Sequence, residues 1–270
     1  TQQDAISRVT SEPNPTGGGD GPGATGGGDG GDGVGVGGSL GQFSNVDVTV
    51  EFASGAVFGP LRIDSPNGMF TLVPCDLAPP VRVVLEGRPG SGARYFDEHL
   101  VAPVSFEGQQ LQGILTRLDR NGGVTPFTDA MVRRTLQLGT AVAADGGHRF
   151  KAIGKAVDAW KDPARVQVAH DEVLRSVNDL LPGIYRLEDL RRLPVVVGAA
   201  NSTAGTAALT DNQNGVYGAV LAGLARAAGT LQPGSAQPAL EIQKQFANDL
   251  VDGVRDLRLA GASVAPGTGG

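Results

Sequence analysis

The sequence predicts a mixed α+β chain in three parts: a glycine-rich extended N-terminal tail, a small antiparallel β-sandwich and a helical region. Three observations predict this order. Glycine is concentrated in residues 1–42, short runs of alternating apolar and polar residues fill 43–121, and apolar residues at helical spacing follow over 122–262. Residues 263–270 read as a short flexible C-terminal tail.

The N-terminal tail, residues 1–42, holds 15 of the 42 glycines and has five acidic residues against one arginine. It therefore carries −4 of the chain's net charge of −6. A segment of this composition cannot bury enough apolar surface to order itself. Apolar residues recur in two short stretches, at Ile6 and Val9 and at Val34 and Val36. We expect these stretches, and the second above all, to add as strands to an exposed sheet edge of a neighbouring subunit.

The next segment contains seven strand-like runs at intervals of roughly ten residues, separated by turn signals such as Ser54-Gly55 and Asn67-Gly68. Alternate residues of a strand face opposite sides, so the apolar residues of VDVTVEF share one face and Asp47, Thr49 and Glu51 share the other. This spacing is typical of a small antiparallel sandwich. The runs lie at 46–52, 56–63, 68–73, 81–87, 93–98, 102–108 and 111–118.

The period becomes helical after Asn121-Gly122-Gly123. Thr125 is a suitable N-cap, and Pro126 suits the first helical position. Two helices show one buried stripe each: Tyr217, Val220, Leu221, Leu224, Ala227, Ala228 and Leu231 in the first, and Leu240, Phe246, Ala247, Leu250, Val251 and Val254 in the second. Helices are predicted at 126–138, 148–160, 163–181, 186–193, 215–229 and 238–256.

Four segments carry a resemblance to known proteins: GGGDGGDGVGVGGSLGQF at 26–43, VTPFT at 124–128, DLRRLPVVV at 189–197 and NGVYGAVLAGLARAAG at 214–229. Their order resembles a group of uncharacterised secreted or lipoprotein-type surface proteins of high-GC betaproteobacteria. The predicted sandwich also looks like the carboxypeptidase-regulatory, transthyretin-like modules of bacterial surface proteins. The resemblance implies an extracellular or cell-surface location. The chain departs from the group where a lipid-bearing Cys is usual, because Asn14-Pro15-Thr16 stands there.

The glycine-rich stretch also contains a possible calcium motif. Residues 27–35, GGDGGDGVG, match one unit of the calcium β-roll repeat, with Asp32 as the ligand and Val34 as the inward apolar residue. Asp20 and Asp29 could supply further carboxylate oxygens. A β-roll needs several stacked repeats, and only one complete unit is present. We therefore favour a solvated linker and predict no cofactor, with calcium as the alternative.

No residue pattern identifies a catalytic site. His99, His148 and His170 lie in different predicted elements and outside any metal-binding spacing. Carboxylates are paired at Asp97-Glu98 and Asp171-Glu172, but glycoside hydrolysis needs two carboxylates across a cleft. We therefore predict that the protein is not an enzyme and assign no catalytic role to the histidines or to Asp97-Glu98. An enzyme of an unrecognised type is the alternative.

Charge and hydropathy restrict the partners. Outside the tail the chain is nearly neutral and has no basic stripe, so nucleic-acid binding is not predicted. No apolar run reaches the roughly 18 residues that a membrane-spanning helix needs. The chain begins at Thr1 without Met, which we interpret as the removal of a targeting segment, with a simple fragment boundary as the alternative.

Taken together, these features predict an exported structural protein. We expect a subunit of a homopolymeric extracellular filament or matrix, such as a biofilm matrix, that assembles with copies of itself partly through the N-terminal tail. The alternative is a cell-surface module that binds a glycan or a peptide. Its few large amphipathic aromatic residues, Trp160, Tyr95, Tyr185 and Tyr217, argue weakly against a glycan site.

Overall fold

A computed structural model confirms the mixed α+β class, with four α-helices and several antiparallel sheets among the residues that it describes. These residues are 34–63, 69–72, 78–118, 121–140, 156–181, 183–195, 213–250, 258–259 and 262–263. The strands are β1 (Val34–Gly38), β2 (Phe43–Ser44), β3 (Val46–Phe52), β4 (Val57–Ile63), β5 (Met69–Leu72), β6 (Val81–Glu86), β7 (Arg94–Asp97), β8 (Ala102–Ser105), β9 (Gln110–Leu115), β10 (Gly122–Val124), β11 (Arg258–Leu259) and β12 (Ala262–Ser263). The helices are α1 (Pro126–Thr140), α2 (Pro163–Leu180), α3 (Gln213–Leu231) and α4 (Pro238–Leu250), with short 3-10 helices at Ala156–Lys161 and Gly183–Tyr185.

The largest sheet is antiparallel and has the strand order β4-β3-β6-β9. Its strand β3 follows the predicted alternation on the apolar side, where Val46, Val48 and Val50 are buried. Asp47 was predicted on the polar face, yet it is only 1% exposed, because Arg62 and Arg88 both pair with its carboxylate. Burial alone would raise the pKa of Asp47, but the hydrogen bonds and charges of the two arginines hold it below its ordinary value.

Strand β1 lies within the segment predicted as the N-terminal tail, and its pairing differs from the prediction. Val34 and Val36 do lie in a strand, as the alternation predicts, but this strand pairs within its own chain. It runs antiparallel to β5 and parallel to β10, so both of its edges are occupied. The two valine side chains are buried in the core, which fixes the strand where it is. Val34 and Val36 therefore belong to a strand paired within the chain and have no free edge for a neighbouring subunit.

Two apolar cores hold the strands and helices together. The first lies among the strands around Phe43 and Phe106, whose rings meet edge to face with centroids 4.9 Å apart. Helices α3 and α4 add Ala225 and Leu240 to this core. The second core lies among the helices and includes Ile114 of β9. Each core thus contains residues from both parts of the chain, which fixes the helices against the sheets.

Four of the six predicted helices are confirmed, with shifted ends: 126–138, 163–181, 215–229 and 238–256 correspond to α1, α2, α3 and α4. The helix predicted at 186–193 is wrong, because the Arg191 carbonyl accepts a hydrogen bond from the Gly123 amide and Arg192 forms a bridge to Gly122. Of the helix predicted at 148–160, the structure describes only 156–160, which are part of a 3-10 helix. The strands extend to Val124, three residues past the boundary predicted at residue 121.

The start of α1 agrees with the predicted cap. The Thr128 amide donates to Thr125 Oγ1 at 3.2 Å, and the Thr125 amide donates to Thr128 Oγ1 at 2.7 Å. This reciprocal pair satisfies backbone donors that a helix start leaves without partners. Helix α1 therefore begins at Pro126, directly after β10, and its position relative to the sheet is fixed.

Candidate functional site

An open groove lies among the four helices and the 3-10 helix at Gly183–Tyr185, with a cavity volume of about 510 Å³. This volume falls within the range of roughly 300–1,000 Å³ that is typical of ligand sites. Among the described residues of the lining, only Tyr185 has a polar side-chain group. The groove is lined by Phe127, Val177, Leu180, Leu181, Tyr185, Ala219, Val220, Gly223, Leu224, Ala227 and Phe246.

Aromatic packing builds the floor of the groove. Phe127, in the first turn of α1, stacks on Tyr217 of α3 with ring centroids 6.1 Å apart and planes 5° from parallel. Phe246 of α4 meets Phe127 edge to face at 5.6 Å. These contacts join three helices and bury the Phe127 and Tyr217 side chains. The floor is therefore part of the second core, and its shape is set by the fold.

The rim of the groove leaves apolar surface uncovered. Leu180, at the end of α2, is 50% exposed, and Ala227 of α3 is also exposed. Helix α2 ends here because Leu181 has extended dihedral angles and Pro182 follows it in the sequence. The stripe predicted to be buried along 217–231 is only partly so, since Leu224 is half-buried and Leu231 is 55% exposed. Uncovered apolar surface in a concave site favours the binding of an apolar partner.

Two glycines of α3 differ in what lies beside them. A Cβ at Gly218 would lie 2.4 Å from the Val195 carbonyl oxygen, so this glycine allows close packing of the helix on its neighbour. A Cβ at Gly223 would meet no atom within 4 Å. Gly223 therefore does not serve packing within the chain, and its missing side chain leaves volume to the groove.

A polar network joins α2 to the sheet. His170 Nε2 lies 3.1 Å from Asp189 Oδ1, and Arg191 donates to the same carboxylate oxygen at 2.9 Å. Arg191 also donates to Thr116 Oγ1, just after β9, at 2.8 Å. Burial would raise the pKa of Asp189, but hydrogen bonds from His170 and Arg191 hold it far below its ordinary value. Asp189 is therefore a stable carboxylate that ties three segments together.

The carboxylate pair Asp97-Glu98 is buried rather than solvated. Asp97 accepts hydrogen bonds from the amides of His99 and Leu100 and from the Tyr95 hydroxyl, which fixes the turn after β7. Burial and the nearby charge of Asp97 raise the pKa of Glu98 to about 8, against the opposing effect of Arg226. This burial could not be predicted from the sequence, because charged neighbours at the end of a short strand are usually exposed.

The structure describes only some of the other residues predicted from the sequence as site residues. Ile6, Val9, Asp20, Asp29 and Asp32 lie outside the described residues. Val34 and Val36 are buried in β1. None of the residues that line the groove was predicted from the sequence as a site residue. The part of the chain that the structure describes contains no group of three or more His, Cys, Asp or Glu arranged to hold a metal ion. The described helices include none that is both long and apolar enough to cross a membrane.

The sequence offered one signal for the groove, the apolar stripe of α3. It could not show that part of the stripe would remain uncovered, because that depends on where α2 ends relative to α3. Comparison of the chain with protein-family models, with curated proteins and with solved structures finds no match. The resemblance to bacterial surface proteins therefore rests on the sequence segments alone.

Proposed function

We propose that the protein is an exported structural subunit that assembles with copies of itself into an extracellular filament or matrix. Within this proposal its strands form a transthyretin-like β-sandwich, and residues 1–33, here called the N-terminal arm, extend from it. The resemblance of the sequence to bacterial surface proteins supports the location. The open apolar groove is the observation that carries the function.

The groove suits a protein partner better than a polar small molecule. Its lining offers one hydroxyl, from Tyr185, while its floor and rim consist of aliphatic and aromatic side chains. A glycan needs several hydrogen-bonding partners, and polar groups buried without them cost free energy. An apolar peptide segment loses little by entering such a site and gains from the removal of its side chains from water. The same property supports the second candidate function, a surface module that binds an apolar peptide of another protein.

Strand addition is a less suitable route to assembly in this chain. The Phe96 amide in β7 donates to the Gln42 carbonyl, which lies on the side of β7 away from β8. Phe96 is the partner of Pro103 in β8, so the two residues do not bond each other and the Pro103 backbone nitrogen faces the outer edge of the sheet. Proline has no N–H to donate there. The next outward carbonyl on this edge, that of Ser105, accepts a hydrogen bond from Gln237 at 2.7 Å. A new strand would therefore find few partners along β8.

Strand β4, at one edge of the four-stranded sheet, carries a similar obstacle. Its sequence VFGPLRI contains Pro60, and its register to β3 shifts between Val48 and Val50. Proline and irregular register are common devices that protect sheet edges from unwanted pairing. We therefore infer that assembly uses the groove rather than the edges of β4 and β8.

The proposal is tested by sedimentation velocity and electron microscopy of the full chain over a wide concentration range. We expect reversible, concentration-dependent assemblies that appear as regular fibres or sheets. A chain that remains monomeric at the highest concentration would contradict the structural role. A monomer that instead captures apolar peptides in the groove would favour the second candidate function.

A further inference from the structure

We propose that the apolar groove of one subunit receives Ile6 and Val9 from the N-terminal arm of a second copy. The inference rests on the proposed function and identifies the two surfaces that would meet. The occupant is the arm of a neighbouring subunit. Occupation by the subunit's own arm, or by an unrelated peptide, would be a different outcome of the experiments below.

The composition of the arm points to these two residues. Ile6 and Val9 are the only residues among Val, Ile, Leu, Met, Phe, Tyr and Trp in 1–33, and the remaining arm is chiefly Gly, Asp, Pro, Ser and Thr. Side chains three residues apart lie on the same side of a helical turn. One turn would therefore direct both apolar side chains, with Ala5 beside them, into a single concave site. The groove has room for such a pair, since its volume is about 510 Å³.

The length of the arm permits the contact with a neighbouring subunit. Residues 10–33 separate Val9 from Val34, where β1 begins in the folded part of the chain. A fully extended segment of this length spans roughly 80 Å, at about 3.3–3.6 Å per residue. As a relaxed glycine-rich chain it would span about 25–30 Å. At its extended length the arm would let Ile6 and Val9 reach another molecule packed beside the first.

Charge also favours the contact. The arm has five acidic residues and one arginine, a net charge of −4. The charged residues adjacent in sequence to the groove lining are Asp179, Arg186 and Arg226, all exposed, with a net charge of +1. Opposite net charges increase the rate of encounter between two surfaces, and salt screens this attraction. A rise in ionic strength should therefore slow assembly even though the buried contact is apolar.

The groove side is tested with Gly223→Leu in the full chain. A Cβ at this position meets no atom within 4 Å, so the start of a leucine side chain has space in the groove, and leucine favours the helix over glycine. We expect the variant to fold normally and to lose assembly at concentrations at which the unmodified chain assembles. The matched control is Ala164→Leu, which also introduces a leucine side chain, at an exposed position of α2 about 20 Å along the helix from Val177.

The arm side is tested with Ile6→Asp/Val9→Asp in the full chain. The matched control is Ser7→Asp/Thr10→Asp, which adds the same two charges at the same spacing but leaves the apolar pair intact. We expect loss of assembly only in the first variant. A fluorescent peptide of residues 1–15 provides a direct binding measurement. It should bind Ile6→Asp/Val9→Asp, whose groove is intact, and bind at least tenfold more weakly when Gly223→Leu is added.

The outcomes separate this inference from the proposed function. If the unmodified chain assembles but Gly223→Leu and Ile6→Asp/Val9→Asp assemble equally well, the groove is not the docking site and the structural role remains. Failure of the peptide to bind the intact groove also overturns the inference. A full chain that stays monomeric overturns the proposed function and this inference with it. Peptide binding in that case would place the arm in its own groove.

Discussion

The Tyr217 hydroxyl oxygen lies 2.6 Å from Thr125 Oγ1, at the centre of a buried junction between helices. The same hydroxyl donates to the Leu190 carbonyl at 3.0 Å, so Thr125 is the donor in the first contact. Thr125 also caps α1, and Tyr217 stacks on Phe127 in the groove floor. Burial raises the pKa of Tyr217, which keeps the phenol protonated. One side chain thus joins α3, the start of α1 and the segment before Arg191.

Replacement of Tyr217 by Phe tests this junction. The change leaves the Leu190 carbonyl and the Thr125 hydroxyl without their partner in a buried site, which we expect to lower the free energy of unfolding by about 1–3 kcal/mol. Denaturant titration followed by circular dichroism measures the loss. Tyr185→Phe is the control, because that side chain is only half-buried at the groove, and a change within about 0.5 kcal/mol is expected. Equal stability of Tyr217→Phe and the unmodified chain would contradict the role of the junction.

The pairing of β1 with β5 and β10 predicts different effects for two deletions. Removal of residues 1–33 should leave the fold intact, since β1 begins at Val34. Removal of residues 1–42 takes away a strand paired on both sides together with Val34, Val36 and Leu40, all buried. Each such side chain contributes about 1.5–3 kcal/mol, so the total is comparable to the stability of a typical domain. Thermal unfolding distinguishes the two deletions. If the chain without residues 1–42 unfolds at the same temperature as the chain without residues 1–33, the role of β1 in the fold is contradicted.

Two glycine substitutions test whether the segment after β1 packs against β7, and they change the chain less than a deletion does. Gly41 and Gly55 both have positive φ, near +84° and +90°, so alanine is strained at either position. A Cβ at Gly41 would in addition overlap the Phe96 carbonyl, whereas a Cβ at Gly55 meets no atom within 4 Å. We expect Gly55→Ala to cost about 1 kcal/mol from the strain and Gly41→Ala to cost several kcal/mol more. Similar losses in the two variants would show that residue 41 is not packed against β7.

The parts predicted correctly depend on local patterns. The alternation of VDVTVEF is enough to predict β3, and Thr125-Pro126 is enough to predict the start of α1. Strand faces and helix caps depend on residues close in sequence. The strand at Val34 and Val36 was predicted for the same reason. Its partner was not, since the alternation of Val and Gly is the same whether the neighbouring strand belongs to the same chain or to another.

The parts predicted wrongly depend on distant contacts. Residues 186–193 have helical spacing, but Arg191 and Arg192 pair with β10 and hold the backbone in another conformation. Asp47 was predicted on the polar face of β3, but it is buried because Arg62 and Arg88, which are distant in sequence, pair with its carboxylate. The groove was missed because the α3 stripe does not reveal which of its positions α1, α2 and α4 leave uncovered.

Glu98 makes the stability of the fold depend on pH. Its pKa of about 8 in the folded chain exceeds the ordinary value of 4.5, so the folded state retains a proton that the unfolded state has released between these values. Stability from this group is fully present below about pH 4.5, falls as pH rises to about 8 and then stays constant.

The variant Glu98→Gln removes this dependence because its amide does not ionise. We expect its stability relative to the unmodified chain to increase from pH 5 to pH 9, on the order of a few kcal/mol. Denaturant titrations at the two pH values measure the difference. Parallel pH profiles of the two proteins would show that Glu98 ionises normally in the fold.

The central claim, that an arm from one subunit enters the groove of the next, is tested most directly by mixing two defective variants. Ile6→Asp/Val9→Asp has an intact groove and a defective arm, while Gly223→Leu has an intact arm and a filled groove. Sedimentation velocity should find each variant monomeric alone and the mixture a heterodimer that grows no further, because only one arm and one groove remain competent. A mixture that stays monomeric, or variants that each assemble alone like the unmodified chain, would contradict the claim.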